Sequence, residues 1–235
     1  LLAYVEMLAR DSGRFADATI SANTRNANGA PIAIDIMLTK DLSVTDTRGA
    51  ATITARARDS GDAGEVRISA ANIKITSTAD SSFAAIDTHT LGSGKGGDVT
   101  IAAPGTLTVT GVSNKMFFID SGTAPLSKGV GGDTTITAGK VELTRSNINT
   151  GDFIAQQTGQ RSPGPGGNIT ITANSFEMKE SAIATDSSGG GKAGGFTISA
   201  REIHINESSF LQQIGINGTG GFVIKATDLH MSDSA

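Results

Sequence analysis

The chain has no cysteine, no tryptophan and a single tyrosine among its 235 residues, and only five prolines. Without cysteine there is no disulfide, no thiolate metal site and no cysteine nucleophile. One Tyr and nine Phe are all the aromatics, which leaves little for the stacking platforms of sugar-binding grooves. No Lys/Arg cluster occurs and the formal charge is −4, so a general nucleic-acid surface, which needs a basic patch to displace counterions, is excluded. Long apolar runs are missing too. The opening stretch LLAYVEMLAR is too short for a membrane span or a signal peptide and is interrupted by Glu6 and Arg10.

What the chain does have is 30 glycines, abundant Ser, Thr, Asn and Asp, and a period. GGDVTIAAPGTLTV begins at Gly96, and near copies begin at Gly131 (GGDTTITAGKVELT) and Gly166 (GGNITITANSFEMK). Anchored on the glycine before each apolar pair, the unit recurs at Gly64, Gly97, Gly132, Gly167, Gly194 and Gly220, with Ala30 at that place one unit earlier. The intervals run from 26 to 35 residues, the mark of a solenoid whose loops vary in length.

Within each unit, alternation of period two marks short strands. The first strand carries Ile32/Ile34, Val66/Ile68, Val99/Ile101, Thr134/Ile136, Ile169/Ile171, Phe196/Ile198 and Phe222/Ile224 inward. The second carries Leu42/Val44, Ile73/Ile75, Leu107/Val109, Val141/Leu143, Phe176/Met178, Ile203/Ile205 and Leu229/Met231. A third is centred on Ile20, Ile53, Ile86, Ile119, Ile148, Ile183 and Phe210, followed by a Gly/Ser/Pro-rich loop. Helical periodicity is nearly absent. LLAYVEMLAR is either a capping helix or the strands of an incomplete first turn, and strand is favoured because Phe15–Thr24 falls where a third strand belongs.

Three strands repeated every 26 to 35 residues predict an all-β chain, a parallel β-helix of about seven turns with three short strands per turn, spanning residues 1–235 as one segment. One turn cannot fold alone. It buries about six apolar side chains at roughly 1.5–3 kcal/mol each, against roughly 1–2 kcal/mol per ordered backbone, so neighbouring turns must supply the rest. With no initiator Met and an end in mid-turn at SDSA, the chain is expected to be a piece of a longer one.

Units such as GGDVTIAAPGTLTV, together with ATITARARDSGDAGEV (Ala51–Val66), resemble the passenger repeats of filamentous haemagglutinin-type, two-partner-secretion exoproteins of bacteria. The resemblance covers essentially Phe15 to Ala235. It implies a right-handed β-helix, export by an outer-membrane transporter partner, and display or release at the cell surface as an adhesin. A host or surface receptor or glycan is then the partner, with no stable membrane insertion. The secretion domain typical of that family is not recognisable in these residues.

Several constellations could carry chemistry. A phosphate loop must lead from a strand into a helix, whereas every glycine pair here leads into a strand. Calcium-binding nonapeptides need G-G-x-G-x-D in tandem, and GSGKGGD and GGGKAGGF do not fit. Asp98, Asp133 and Asn168 occupy equivalent corners, where bonding to nearby backbone amides is the ordinary role. No cofactor is expected.

An outward column places Glu142, Glu177, His204 and His230 on successive turns. Two carboxylates and two imidazoles could bind a divalent metal, but a solvated face is favoured because a flat ladder neither converges nor excludes water. His89 lies in a loop-like stretch without an evident partner. Thr100, Thr135, Thr170 and Thr197 form an outward array beside Thr137, Thr172 and Ser199, as in ice-binding β-helices, though Thr is simply favoured in exposed strands. Met116, Phe117 and Phe118 in the 111–128 loop are candidates for a small exposed binding patch. Sequons stand at Asn168, Asn206 and Asn217. The favoured function is a non-enzymatic, stiff adhesive rod with specificity in loops 111–128 and 151–165. The alternative is a carbohydrate-active β-helix enzyme or its binding module, which requires a groove with paired carboxylates.

Overall fold

The computed structural model describes residues 5–9, 13–16, 19–23, 31–47, 52–78, 84–112, 117–123, 128–151, 164–185, 191–211 and 220–234. Among the described residues every element is a strand and every strand pairing is parallel. Alternating apolar residues leave each strand with one greasy face, and a parallel partner one period later covers its edges. The first two turns hold β1 (Val5–Ala9), β2 (Gly13–Ala16), β3 (Thr19–Ser21), β4 (Ile34–Leu38), β5 (Asp41–Asp46) and β6 (Thr52–Thr54). The next adds β7 (Val66–Ser69), β8 (Asn72–Ser77) and β9 (Ala84–Asp87). The middle has β10 (Val99–Thr110), β11 (Phe117–Asp120), β12 (Thr134–Thr144), β13 (Asn147–Asn149), β14 (Ile169–Lys179) and β15 (Ala182–Ala184). Last come β16 (Phe196–Ser199), β17 (Glu202–Asn206), β18 (Ser209–Leu211), β19 (Phe222–Lys225) and β20 (Asp228–Ser232).

These strands make two sheets and a parallel β-helix. One sheet stacks β1-β4-β7-β10-β12-β14-β16-β19, with the second strands pairing alongside; the other stacks β3-β6-β9-β11-β13-β15-β18. Val5–Ala9 and Gly13–Ala16 are strands, as favoured over a capping helix: Val5 pairs with Ile34 and Phe15 with Val44. The three-strand unit is modified in the middle of the column, where first and second strands run together as β10, β12 and β14. The corner there is too short to break the pairing. One extra residue at Pro104–Gly105 in β10 shifts its register against β12, and a bulge of that kind is where a sheet tolerates proline.

The third-strand column is as expected, with Ile20, Ile53, Ile86, Ile119, Ile148, Ile183 and Phe210 in register. One inward pair is not. Ile34 pairs with Val66 and Ile36 with Ile68, so the first unit is displaced by two residues from Ile32/Ile34. That unit has Ile32, not glycine, at the corner against Gly64, and the glycine anchor misses it.

The core among the described residues is a stack of Ile, Val, Leu, Phe and Ala side chains, with Met178, inside the coil. One corner is closed on four turns by a small reciprocal clasp. The N–H groups of Gly97, Gly132, Gly167 and Gly194 donate to the carbonyls of Thr88, Ser121, Thr150 and Thr185. The hydroxyls of those four residues donate back to the glycine carbonyls. A second corner repeats a left-handed residue, Arg145, Glu180, Glu207 and Asp233, each at φ 48°. A serine follows each, and the N–H groups of Ser146, Ser181 and Ser208 donate to the serine hydroxyl one turn on. At a third corner, the N–H of Asp133 donates to Asp98, that of Asn168 to Asp133, and that of Gly195 to Asn168. Asp98 and Asp133 are thus hydrogen-bonded corner residues.

Candidate functional site

The densest charged group in the described residues grows from the third strand. Ile86, Ile119 and Ile148 point into the core, and the next residue of each turn, Asp87, Asp120 and Asn149, stacks in register. All three polar side chains are buried. Each accepts the N–H of the residue two positions on, His89, Gly122 and Gly151, a turn that Asp and Asn form readily. This brings His89 over the rung boundary. Its Nδ1 lies 2.6 Å from Asp87 Oδ1 and 3.8 Å from Asp120 Oδ2. Arg56, one turn earlier, pairs with Asp87 Oδ2, and Asn149 Nδ2 donates to Asp120 Oδ1 at 3.0 Å.

His89 therefore has partners, contrary to the expectation from sequence. Its neighbours in the next two turns at that place are Gly122 and Gly151, which leave room for the ring. Burial alone pushes the imidazole down, but the bond and charge of Asp87, helped by Asp120, outweigh it and hold His89 above its ordinary value. Burial pushes Asp87 up, yet His89 and then Arg56 bring it below the usual carboxylate range. For Asp120 burial prevails, and it stays above that range despite His89 and the Asn149 and Gly122 donors.

Asp87, His89 and Asp120 have donor atoms within 4.8 Å of one another, a set that could in principle hold a cation. The oxygens argue otherwise. Asp87 spends one on His89 and the other on Arg56, and Asp120 spends one on Asn149 and Gly122. A divalent ion would have to displace a guanidinium from a buried carboxylate. Two carboxylates facing one guanidinium and one imidazolium are instead electrically balanced. Among the described residues, His89, Asp87, Arg56, Asp120 and Asn149 are bonded to one another across the turns. The cluster's signal in the sequence is the tetrad Ile-Asp-Thr-His, Ile-Asp-Ser-Gly, Ile-Asn-Thr-Gly repeated on three turns.

The outward ladder is formed as expected: Glu142 pairs with Glu177, Glu177 with His204, and His204 with His230. It does not converge on one point. Lys140 Nζ bridges the two glutamates at 2.5 and 3.4 Å, and the Thr108 hydroxyl donates to Glu142. Glu142 is held below its usual range chiefly by its bond to that lysine. His204 and His230 stack face to face with centroids 5.0 Å apart. The threonine array also lies in register, Thr100, Thr135, Thr170 and Thr197 in one column.

The proposed aromatic patch fails at Phe118, which is fully buried. Phe117 pairs with Ala84 and Asn147 and Ile119 with Ile86 and Ile148, so β11 carries one residue more than β13. The extra residue, Phe118, turns inward above Ala85 and fills the core. Met116 lies outside the described residues, as do the Phe117 side chain, residues 113–116 and 124–127 of the first loop stretch and 152–163 of the second; the first stretch is not all loop, since it holds β11. Of the sequons, Asn168 is committed to the corner ladder, Asn206 accepts from the Ser232 hydroxyl, and Asn217 is outside the described residues.

Protein-family models, curated proteins and solved structures offer no match to this chain. One cleft of about 420 Å³ lies beside the glycine corners, lined by Asp62, Glu65, Arg67, Lys95 and Asp98 among others. Its acids are engaged: Asp62 accepts the Lys95 N–H, Asp98 the Lys95 ammonium, and Glu65 pairs with Arg67. No aromatic ring lines it.

Proposed function

We propose that the chain is a structural, adhesive segment of a large secreted bacterial surface exoprotein, a stiff β-helical rod that holds loops out for attachment. On this reading an outer-membrane transporter carries it to the cell exterior, and a host or surface receptor or glycan is its partner. The observation that supports it most is how the polar groups are used. Among the described residues, the Asp98, Asp133 and Asn168 corner, the serine ladder and the Asp87, His89 and Asp120 cluster all join one turn to the next. Such wiring stiffens a column, and it leaves few charged groups free to act on a substrate. The repeat resemblance points the same way.

The rival is a carbohydrate-active β-helix, and the cleft with Asp62, Glu65 and Asp98 is the observation in its favour. A glycosidase needs one acid held protonated and a second free carboxylate, whereas these three are each tied to a cation or an amide. The test takes the chain with residues 113–116, 124–127 and 152–163 intact or replaced by short glycine linkers, with β11 left in place. Beads coated with the intact chain should adhere to cells or immobilised glycans, and loop replacement should abolish adhesion while the far-ultraviolet spectrum stays unchanged. Release of sugar fragments from acidic polysaccharides, lost in Asp62→Asn or Asp98→Asn, would overturn the rod reading in favour of the enzyme.

A further inference from the structure

We propose that His89 is a proton-operated clasp between turns: protonated, it bridges the Asp87 and Asp120 carboxylates of successive rungs, and deprotonated it loosens sheet pairing at that corner. Geometry carries the inference. His89 is faced by Asp87 from the end of β9, by Asp120 from the end of β11 and by Arg56 from the turn before. With the proton in place two negative groups meet two positive ones. Without it, two buried carboxylates about 4.8 Å apart by strand spacing share one guanidinium, which sits on the far oxygen of Asp87. Repulsion between them then acts in a site with little solvent to screen it.

The long backbone bonds between described corner residues lie there. Ala57 N–H donates to His89 at 3.4 Å and Thr90 N–H to Gly122 at 3.3 Å, against 2.9 Å for Thr88 to Asp120. The pairing of Ala57, Thr90 and Thr123 consists of isolated bridges. Thr150, the counterpart of Thr88 beside the uncharged Asn149, donates its N–H to Ala184 at 3.0 Å and serves as the control for Thr88, while at the Thr90 place the bond stays long one turn on, Thr123 N–H to Gly151 at 3.2 Å. Asp87, by its bond and charge, and Asp120 hold the His89 proton more tightly than an ordinary imidazole holds its own.

The experiment uses the whole chain and reads imidazole titration by nuclear magnetic resonance together with amide hydrogen exchange between pH 5 and 9. His89 should titrate above the ordinary histidine value of about 6.5. Exchange at Thr88 and Thr90, corrected for intrinsic base catalysis, should accelerate across that titration by about tenfold per pH unit of displacement, while Thr150 stays level. His89→Asn, borrowing Asn23 from the same column, should abolish the acceleration. Asp120→Asn, copying Asn149, should retain the fold and bring His89 back toward its ordinary value. A His89 that titrates at or below that value would overturn the proposal. So would an equal pH response at Thr88 and Thr150, or an acceleration that persists in His89→Asn.

Discussion

Replacing Gly132 by Ala probes the corner on which the repeat is built. The backbone there is not in the left-handed region, so the issue is space. A Cβ on Gly132 would lie 2.2 Å from the Gly97 carbonyl oxygen and 2.7 Å from that of Gly96. Ordinary contact begins at 3.4 Å, and the obstacles are backbone atoms of the previous turn, held by pairing on both sides. A shift large enough to admit the methyl strains the packed corner by about 1–3 kcal/mol. It also loosens the Gly132 to Ser121 bond at 2.7 Å and the returning hydroxyl bond at 3.0 Å, about 1 kcal/mol each. The expected loss is therefore about 3–5 kcal/mol, read as a lower midpoint in urea by far-ultraviolet circular dichroism. Gly221→Ala is the control, because nothing lies within 4 Å of its added Cβ; it should change stability by no more than about 0.5 kcal/mol. Equal midpoints for the two variants would refute the close stacking of glycine corners.

Three further outcomes follow from the same geometry. Phe118→Ala should cost about 3–5 kcal/mol in the same assay, because it empties a fully buried site, whereas an exposed loop residue would cost almost nothing. Glu207→Gly should raise stability by about 1 kcal/mol, since φ 48° suits glycine and strains other residues; a loss would show that the left-handed corner is absent. In pH titrations of unfolding, the His89 contribution is complete below the ordinary histidine value and disappears as pH climbs through its raised pKa. The Asp87 contribution is present above the usual aspartate value and is lost as pH falls through its depressed pKa. Raised Asp120 acts oppositely to Asp87 and costs stability once ionised, so maximum stability should lie on the mildly acidic side of neutral, and a monotonic rise to pH 9 would contradict it.

The strands were legible because their signal is local. Alternation and the isoleucine of each third strand survive changes in loop length, so nearly all inward pairs and the outward Glu142 to His230 column stand in the expected register. Where a local mark was missing, the register slipped: the first unit has no corner glycine, and Ile34/Ile36 replaced Ile32/Ile34. Phe118 escaped because a bulge breaks strict alternation and puts two successive side chains, Phe118 and Ile119, inside. The charge cluster was hidden for a different reason. Arg56, Asp87, His89 and Asp120 come from three turns and meet only after stacking, and the aligned tetrads that give it away lie at strand ends, where a solitary histidine reads as loop.

The central claim is that equivalent positions rise up one column by one strand spacing per turn. Because the chain has no cysteine, pairs of spin labels can be placed by introducing two. Labels at His204 with Glu142, Lys74 or Ser43, which are two, four and five rungs away, should give backbone separations near 10, 19 and 24 Å by the roughly 4.8 Å strand spacing, measured by pulsed electron resonance with label length allowed for. Separations that grow linearly with rung number are the predicted result. Distances that fail to increase from Lys74 to Ser43, as a folded-back antiparallel sandwich would give, would contradict it.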